Sequence, residues 1–415
     1  MSATQTRSIP TDLQDERLEQ SAGIGGAWQR LRSRVTSGDL GSIPVIVGLV
    51  VIWAVFEILN PVFLSPANLV NLAMNCAIYG MIAVGVVLVL LLGEIDLSVG
   101  SMSGLAAAIM SVLFVNLGWN LALAVVIALA AGAVVGLFYG FLYTRFGVPS
   151  FVITLGGLLG LLGLQLWVLG PSGTINLPFD SWLVYLAQQA YMPAWLAYAV
   201  SVLAGVLYVI PALVTARRRA SVGLSSSSTA SIIVRGAVMA AAFVLVSWYL
   251  NQNRGIGYVF LIFIAVVVIM NYALTRTRWG RSVYAVGGNV EAARRAGIKV
   301  RRIYLSVFVL TAVLAAFGGL LAAGRLAAAG QASGGGDVNL NAIAAAVIGG
   351  TSLFGGRGSA YSALLGVVVI QSISSGLTLM NLDSSARYMI TGAVLLVAVI
   401  VDSLSRRARA AKGRG

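Results

Sequence analysis

The stretch AIYGMIAVGVVLVLLLGEIDLSVGS, Ala77 to Ser101, decides how this chain folds. Ala77 to Leu92 carries no charge; Glu94 and Asp96 then stand between glycines, and no further charge follows until Arg145. A uniformly apolar run of this kind predicts a helix inside a bilayer, where about 20 apolar residues cross the hydrocarbon layer. A charged side chain at mid-bilayer costs about 2.5–3.5 kcal/mol on insertion scales, so the carboxylates need a reason. A helix break between Gly93 and Gly100 supplies one. It falls at the charged end of the span, and Asp96 can cap a helix restarting at Leu97, with Ser98 assisting. Glu94 precedes that cap. It is left either to contact a substrate in a central pathway or to pair with a nearby arginine.

The rest of the chain repeats the pattern. Of its 415 residues 59% are hydrophobic and only 10% charged, with a mean hydropathy of +0.93. Soluble domains carry about 25% charged residues, so that class is excluded. Apolar blocks run over Ile43–Leu59, Leu72–Leu92, Leu97–Val115, Leu121–Tyr143, Pro149–Leu169 and Ala194–Val214. They continue over Ile232–Leu250, Ile256–Leu274, Ile303–Ala323, Leu340–Leu353, Tyr361–Met380 and Tyr388–Leu404. The expected fold is all-α: a polytopic helical membrane protein of about 10–12 transmembrane segments with broken or re-entrant helices. Leu340–Leu353, short and glycine-ended, is the second expected break. Continuous runs rather than alternation argue against a β-barrel. The expected organisation is a cytoplasmic tail over 1–42, a transmembrane domain over 43–404 and a basic cytoplasmic tail over 405–415. Met1 to Asp39 has no apolar core segment, so no cleavable leader is expected.

A net charge of +14 suggests nucleic acid only in a soluble protein. Here the arginines gather in loops, at Arg30–Arg34, Arg145, Arg217–Arg219 with Arg235, Arg276–Arg302 and Arg406–Arg409. Counting every block as a span puts all these clusters on one face, which the positive-inside rule makes cytoplasmic, with both termini inside. Opposite-face loops carry Trp119, Trp182 and Trp195, suited to an interface with lipid headgroups, and the two exceptions Arg254 and Arg325. The chain has one cysteine, Cys76, and no histidine, which excludes an internal disulfide and starves any metal site or general base. No catalytic set and no metal site are expected.

Gly132, Gly136 and Gly140, and again Gly156 and Gly160, recur at the spacing that lets helices approach closely. Gly93–Ser103 can also be laid over Gly349–Ser359, matching Gly93 to Gly349, Leu97 to Leu353, Gly100 to Gly356 and Ser103 to Ser359. An internal repeat of the kind transporters use and a coincidence in a glycine-rich chain both accommodate this.

The longest polar segment between spans is RTRWGRSVYAVGGNVEAARRAGIKVRR, Arg276 to Arg302. Asn289 can cap a short helix beginning at Val290, Glu291 suits its first turn, and Gly297 can end it in a left-handed conformation. Ala292, Ala293 and Ala296 then offer a small-residue surface for a partner. EAARRAGI, Glu291 to Ile298, resembles the Glu-Ala-Ala motif of permease subunits of ABC importers. With GEIDLSVGS, VPSFVITLGGLLG (Val148–Gly160) and AIAAAVIGGTSLFGGRGS (Ala342–Ser359), nearly the whole chain is similar to permeases of ribose, xylose, galactose and arabinose importers. Glu94, where ribose-type relatives have Gly, and the inserted Pro211–Arg254 region point to the xylose type.

That resemblance implies a permease for a monosaccharide, a pentose such as xylose, working by alternating access as a homodimer in lipid of the bacterial inner membrane. A cytoplasmic ABC ATPase would dock on Asn289, Glu291, Ala292, Ala293 and Gly297, and a periplasmic or extracytoplasmic sugar-binding protein on the other side. This chain would bind no cofactor: its lysines precede Val300 and Gly413, so no phosphate-binding loop exists, and ATP and Mg²⁺ belong to the partner. Glu94, Asp96, Ser98, Gly100, Asn339 and Asn341 would mark the pathway or the helix breaks. Relatives have Glu-Leu-Asp where this chain reads Asn339-Leu340-Asn341. The rival expectation is an ion-gradient-driven secondary transporter using Glu94 and Asp96. It leaves the capped helix at Asn289 unexplained.

Overall fold

In the computed structural model the described residues are 43–224 and 228–383, with 385–386, 388–390, 392–393, 396 and 400. The two predicted tails, and most of the predicted block Tyr388–Leu404, lie outside them. Helix α1 (Ile43–Leu59) leads to α2 (Pro66–Leu91), which Ser65 starts by accepting the Asn68 N–H and which ends just before Gly93 at φ +81°. Helix α3 (Val99–Ser111) closes in a π turn, and Asn120 caps α4 (Leu121–Phe146). Then come α5 (Ser150–Leu169), strand β1 (Thr174–Asn176), the short α6 (Trp182–Gln188), α7 (Ala194–Ser221), α8 (Thr229–Leu250) and α9 (Tyr258–Arg276). Two polar helices, α10 (Arg278–Gly288) and α11 (Val290–Arg295), precede α12 (Val300–Leu326), strand β2 (Ala328–Gly330), α13 (Gly336–Ile348) and α14 (Ala360–Leu379).

Among the described residues nine helices are long and apolar enough to cross a membrane, and α1 and α13 are shorter apolar helices. Each predicted block up to Met380 coincides with one of them. The chain is an all-α polytopic membrane protein, the only sheet among the described residues being the two-stranded antiparallel ribbon of β1 with β2.

Helix α2 is the axis of the molecule. A helix apolar on every face is a core helix, and its residues from Met81 to Leu91 are all buried. Around it stand α12, α14, α13 and α9, while α12 also packs on α3 and α4. The glycine spacing divides in two. Gly132, Gly136 and Gly140 face α12, where an added methyl would lie 3.0 Å from Ala312 O, 2.5 Å from Phe308 O and 2.9 Å from Leu305 Cδ2. Gly156 and Gly160 meet no atom within 4 Å, so among the described residues they pack against nothing. Helices α7 and α8, from the inserted region, pair with each other: Ser201 and Ser247 hydroxyls lie 2.8 Å apart, and Gly205 faces the Gly236 carbonyl.

The helices alternate between two ends. One carries Arg145, the α10–α11 segment and Arg357. The other carries the β1–β2 ribbon and the exposed Trp119, Trp182 and Trp195. The two arginines at this second end have structural uses: Arg325 donates to Asn71 Oδ1 at 2.8 Å, and Arg254 lies over the Tyr191 ring.

Candidate functional site

Between Leu91 and Val99 the chain leaves the helix, and the backbone groups so freed need partners. Helix α5 supplies them. Ile95 N–H donates to Ser150 Oγ at 3.4 Å and Leu97 N–H to Thr154 Oγ1 at 3.2 Å, while the Thr154 hydroxyl reaches Ile95 O at 3.3 Å. A serine and a threonine four residues apart face the break together. This role is readable in the sequence only as hydroxyls inside an apolar run.

Asp96 is 2% exposed, and its Oδ1 accepts both the Ser98 N–H at 2.8 Å and the Ser98 hydroxyl at 2.7 Å. The expected cap at Leu97 is therefore corrected. The helix restarts at Val99, and Asp96 closes a turn onto Ser98, because its carboxylate reaches its own backbone two residues on. The N–H of Gly100, in the first turn of α3, goes instead to Asn339 Oδ1 in the first turn of α13. Gly334 lies directly against Gly100, so the N-termini of two short helices meet here. Asp96 stands beside one and Asp337 in the first turn of the other, as suits the positive ends of helix dipoles. The amide at 339 supplies the acceptor that a carboxylate would, without its charge. Asn341 is only partly buried.

Glu94 meets a tyrosine in place of the arginine that was one of its two expected partners. Its Oε1 accepts the Tyr143 hydroxyl at 2.5 Å, and the Tyr143 ring lies 4.5 Å from that of Tyr304. Tyr143 ends α4 and Tyr304 begins α12, so the carboxylate ties the break to both. A hydrogen bond to a charged group contributes about 1.5–3 kcal/mol. Tyr143→Phe should accordingly lower the thermal midpoint of the detergent-solubilised protein by about 2–3 °C, about 1 kcal/mol corresponding to about 1 °C in a chain of this size. An unchanged midpoint would show the bond to be idle.

At the arginine-bearing end, Asn289 caps α11 by accepting the Ala292 N–H at 2.9 Å. Gly297, at φ +80°, donates to Arg294 O, and Ile298 N–H returns to Ala293 O at 3.1 Å, closing the helix in the Schellman manner. Glu291 forms an exposed ion pair with Arg294 at 2.9 Å. Ala292 and Ala296 are exposed, but Ala293 is 3% exposed, packed against the core with Ile298 beside it. The small-residue surface is thus narrower than expected: Ala293 anchors the helix and is closed to a partner. Preceding it, Thr277 caps α10 through the Gly280 N–H, and Val283 and Val286 sink into the core. Tyr284 donates to Gly358 O at 2.7 Å, and burial pushes its phenol up, so it stays a donor at neutral pH.

The other end has a cleft. Gln165 of α5, fully buried, donates through Nε2 to Gly330 O at 2.9 Å and Ser333 O at 3.0 Å, pinning the strap between β2 and α13. Beside the strap lies a cavity of about 470 Å³ lined by Ser172, Gly173, Thr174, Gln331 and Ser333 among others.

The two breaks that echo each other in sequence lie side by side, Gly93 against Phe354 and Gly355. Their residues are not equivalent one to one. Gly100 and Ser103 are helical, whereas Gly356 has φ +71° in a loop and Ser359 caps α14. Each is a connection between two helices at the same end, which is as far as the likeness goes.

Broken helices meeting at a buried joint, a capped polar helix pair at one end and an open cleft at the other define a transport protein of the permease type. The chain belongs to the permease family of ABC sugar importers. The family described as branched-chain amino acid transport system / permease component matches residues 68–399. The xylose transport system permease protein XylH of Escherichia coli K12 is 36% identical over 345 residues, 83% of this chain and 87% of that protein. XylH of Haemophilus influenzae Rd is 32% identical, covering 90% and 99%. The ribose import permease protein RbsC of Bacillus subtilis 168 is 30% identical, covering 88% and 94%. No solved structure matches the chain. The protein is a multi-pass protein of the inner membrane.

Proposed function

We propose that this chain carries a pentose of the xylose type across the inner membrane by alternating access, driven by a separate ATPase subunit docked on α11. The observation that carries the docking is the build of α11. It is anchored from below by Ala293 and Ile298, capped at both ends, and presents Glu291, Ala292, Arg294 and Ala296 to solvent. A six-residue helix of this kind is too short to hold itself without tertiary support. Both termini then lie in the cytoplasm, with the arginine clusters. A sugar-binding protein delivers substrate at the β1–β2 end, and a second copy of the chain completes the pathway. Similarity to XylH supports the choice of sugar.

The test is uptake of labelled xylose into vesicles holding the chain, its ATPase and lumenal ATP, with the binding protein outside. Uptake should require ATP and all three components, persist with ion gradients collapsed, and be competed by unlabelled xylose more strongly than by ribose. Uptake driven by an ion gradient without the ATPase would overturn the reading and favour a carrier built on Glu94 and Asp96. Stronger competition by ribose would overturn the choice of sugar alone.

A further inference from the structure

Three stretches of backbone meet at one point with no side chain between them: the end of α2, the end of α10 and the loop joining α13 to α14. Leu91 O accepts the Gly356 N–H at 2.9 Å. Gly287 stands against that same carbonyl, so a methyl added to it would be driven into the Leu91 oxygen and would lie 2.9 Å from the Gly356 nitrogen. Gly355 is wedged in beside it. A methyl there would lie 2.6 Å from Gly287 O and 2.9 Å from Gly93 N. One turn earlier in α10, the Tyr284 hydroxyl holds Gly358 O, and buried Val283 and Val286 fix the helix to the core. Asn289, the cap of α11, follows Gly288 directly.

The contact is therefore within three residues of the docking helix on one side. On the other it touches both helix breaks, the Leu91–Val99 connection and the Ile348–Ala360 connection. Long side chains at such a junction would absorb a displacement by changing rotamer. Backbone packed on backbone has no such freedom, and packed contacts of this kind shift together or not at all.

We propose that Gly287 is a positioning residue for transport: its lack of a side chain lets α10 bear directly on the backbone of both breaks, so that movement of α11 reaches them together. The proposal rests on the reading of α11 as the ATPase docking helix. Downstream, the same displacement reaches the α3–α13 joint, because the Leu91–Val99 connection leads into Gly100 and its bond to Asn339.

The test compares Gly287→Ala with Gly288→Ala in the full complex reconstituted in vesicles with ATPase and binding protein. Both substitutions add the same methyl to the same helix, but Gly288 has no atom within 4 Å of the added position. Gly287→Ala should co-purify with the ATPase and keep its basal ATP hydrolysis, yet lose stimulation by the loaded binding protein and about tenfold or more of its sugar uptake. Gly288→Ala should stay within about twofold of wild type in every readout, as an open surface position does. Equal behaviour of the two variants would overturn the proposal. Should Gly287→Ala fail to accumulate in the membrane, Tyr284→Phe decides. Sugar transported per ATP is then expected to fall about fivefold with the ATPase still bound, as loss of one hydrogen bond worth about 1 kcal/mol gives; an unchanged ratio overturns the proposal. Failure of the docking reading looks different, since Gly297→Pro would then leave the ATPase bound.

Discussion

A Gly297→Pro chain should reach the membrane at the wild-type level, lose its ATPase on purification and take up sugar at about a hundredth of the wild-type rate. The reason is local geometry. Gly297 sits at φ +80° and donates its N–H to Arg294 O, whereas proline holds φ near −65° and has no N–H to give. The turn that returns Ile298 to Ala293 cannot then close, and α11 loses its C-terminal end. A conflict of this kind costs about 3 kcal/mol or more, which is about a hundredfold in the population of the docking conformation. The substituted position itself meets no atom within 4 Å, so the rest of the fold has nothing to accommodate. Gly297→Asn is the control. Asparagine tolerates the left-handed conformation, and uptake should stay within about threefold of wild type. Equal loss in both variants would mean that α11 is not a docking helix held by its end but a surface where any side chain interferes.

Asp96 gives the second large effect, and there two substitutions separate shape from charge. In Asp96→Ala the Ser98 N–H and hydroxyl, both buried, lose their common acceptor. Each buried group left unsatisfied costs about 1–3 kcal/mol, a large part of the stability of a typical fold. Membrane level and uptake should therefore fall together. Asp96→Asn keeps an oxygen at the same place and should retain both within about threefold. An Asp96→Asn chain present at the wild-type level but unable to transport would show that the charge itself is used. The ion-gradient reading would then return.

The membrane fold was legible in the chain because the signal is carried by composition. Runs such as Ala77–Leu92 have one stable solution in a bilayer, a helix that satisfies its own backbone, and every predicted block up to Met380 became one. Helix α11 was legible for a similar reason: its cap, first-turn acid and terminal glycine are local features that act within a few residues. The helix breaks were legible as glycines and carboxylates at the end of an apolar run, but their wiring was not. That Glu94 would meet a tyrosine rather than an arginine depends on where α4 ends. That Gly100 would bond to Asn339 depends on an approach between residues 239 positions apart. The same holds for Ala293, identical in sequence character to Ala292 yet turned into the core.

By itself, then, the sequence determined the kind of the helices and the place of each apolar one up to Met380, where they break and the family to which they belong, because each follows from hydropathy, local backbone preference or a motif. Tertiary structure alone decided which glycines pack. Gly132, Gly136 and Gly140 lie on α12, while Gly156 and Gly160, at the same spacing, face open space. It alone decided that Leu91, Gly287 and Gly356 converge on one point. Spacing fixes the face of a helix on which a residue lies, but what stands opposite that face is set by how the other helices pack.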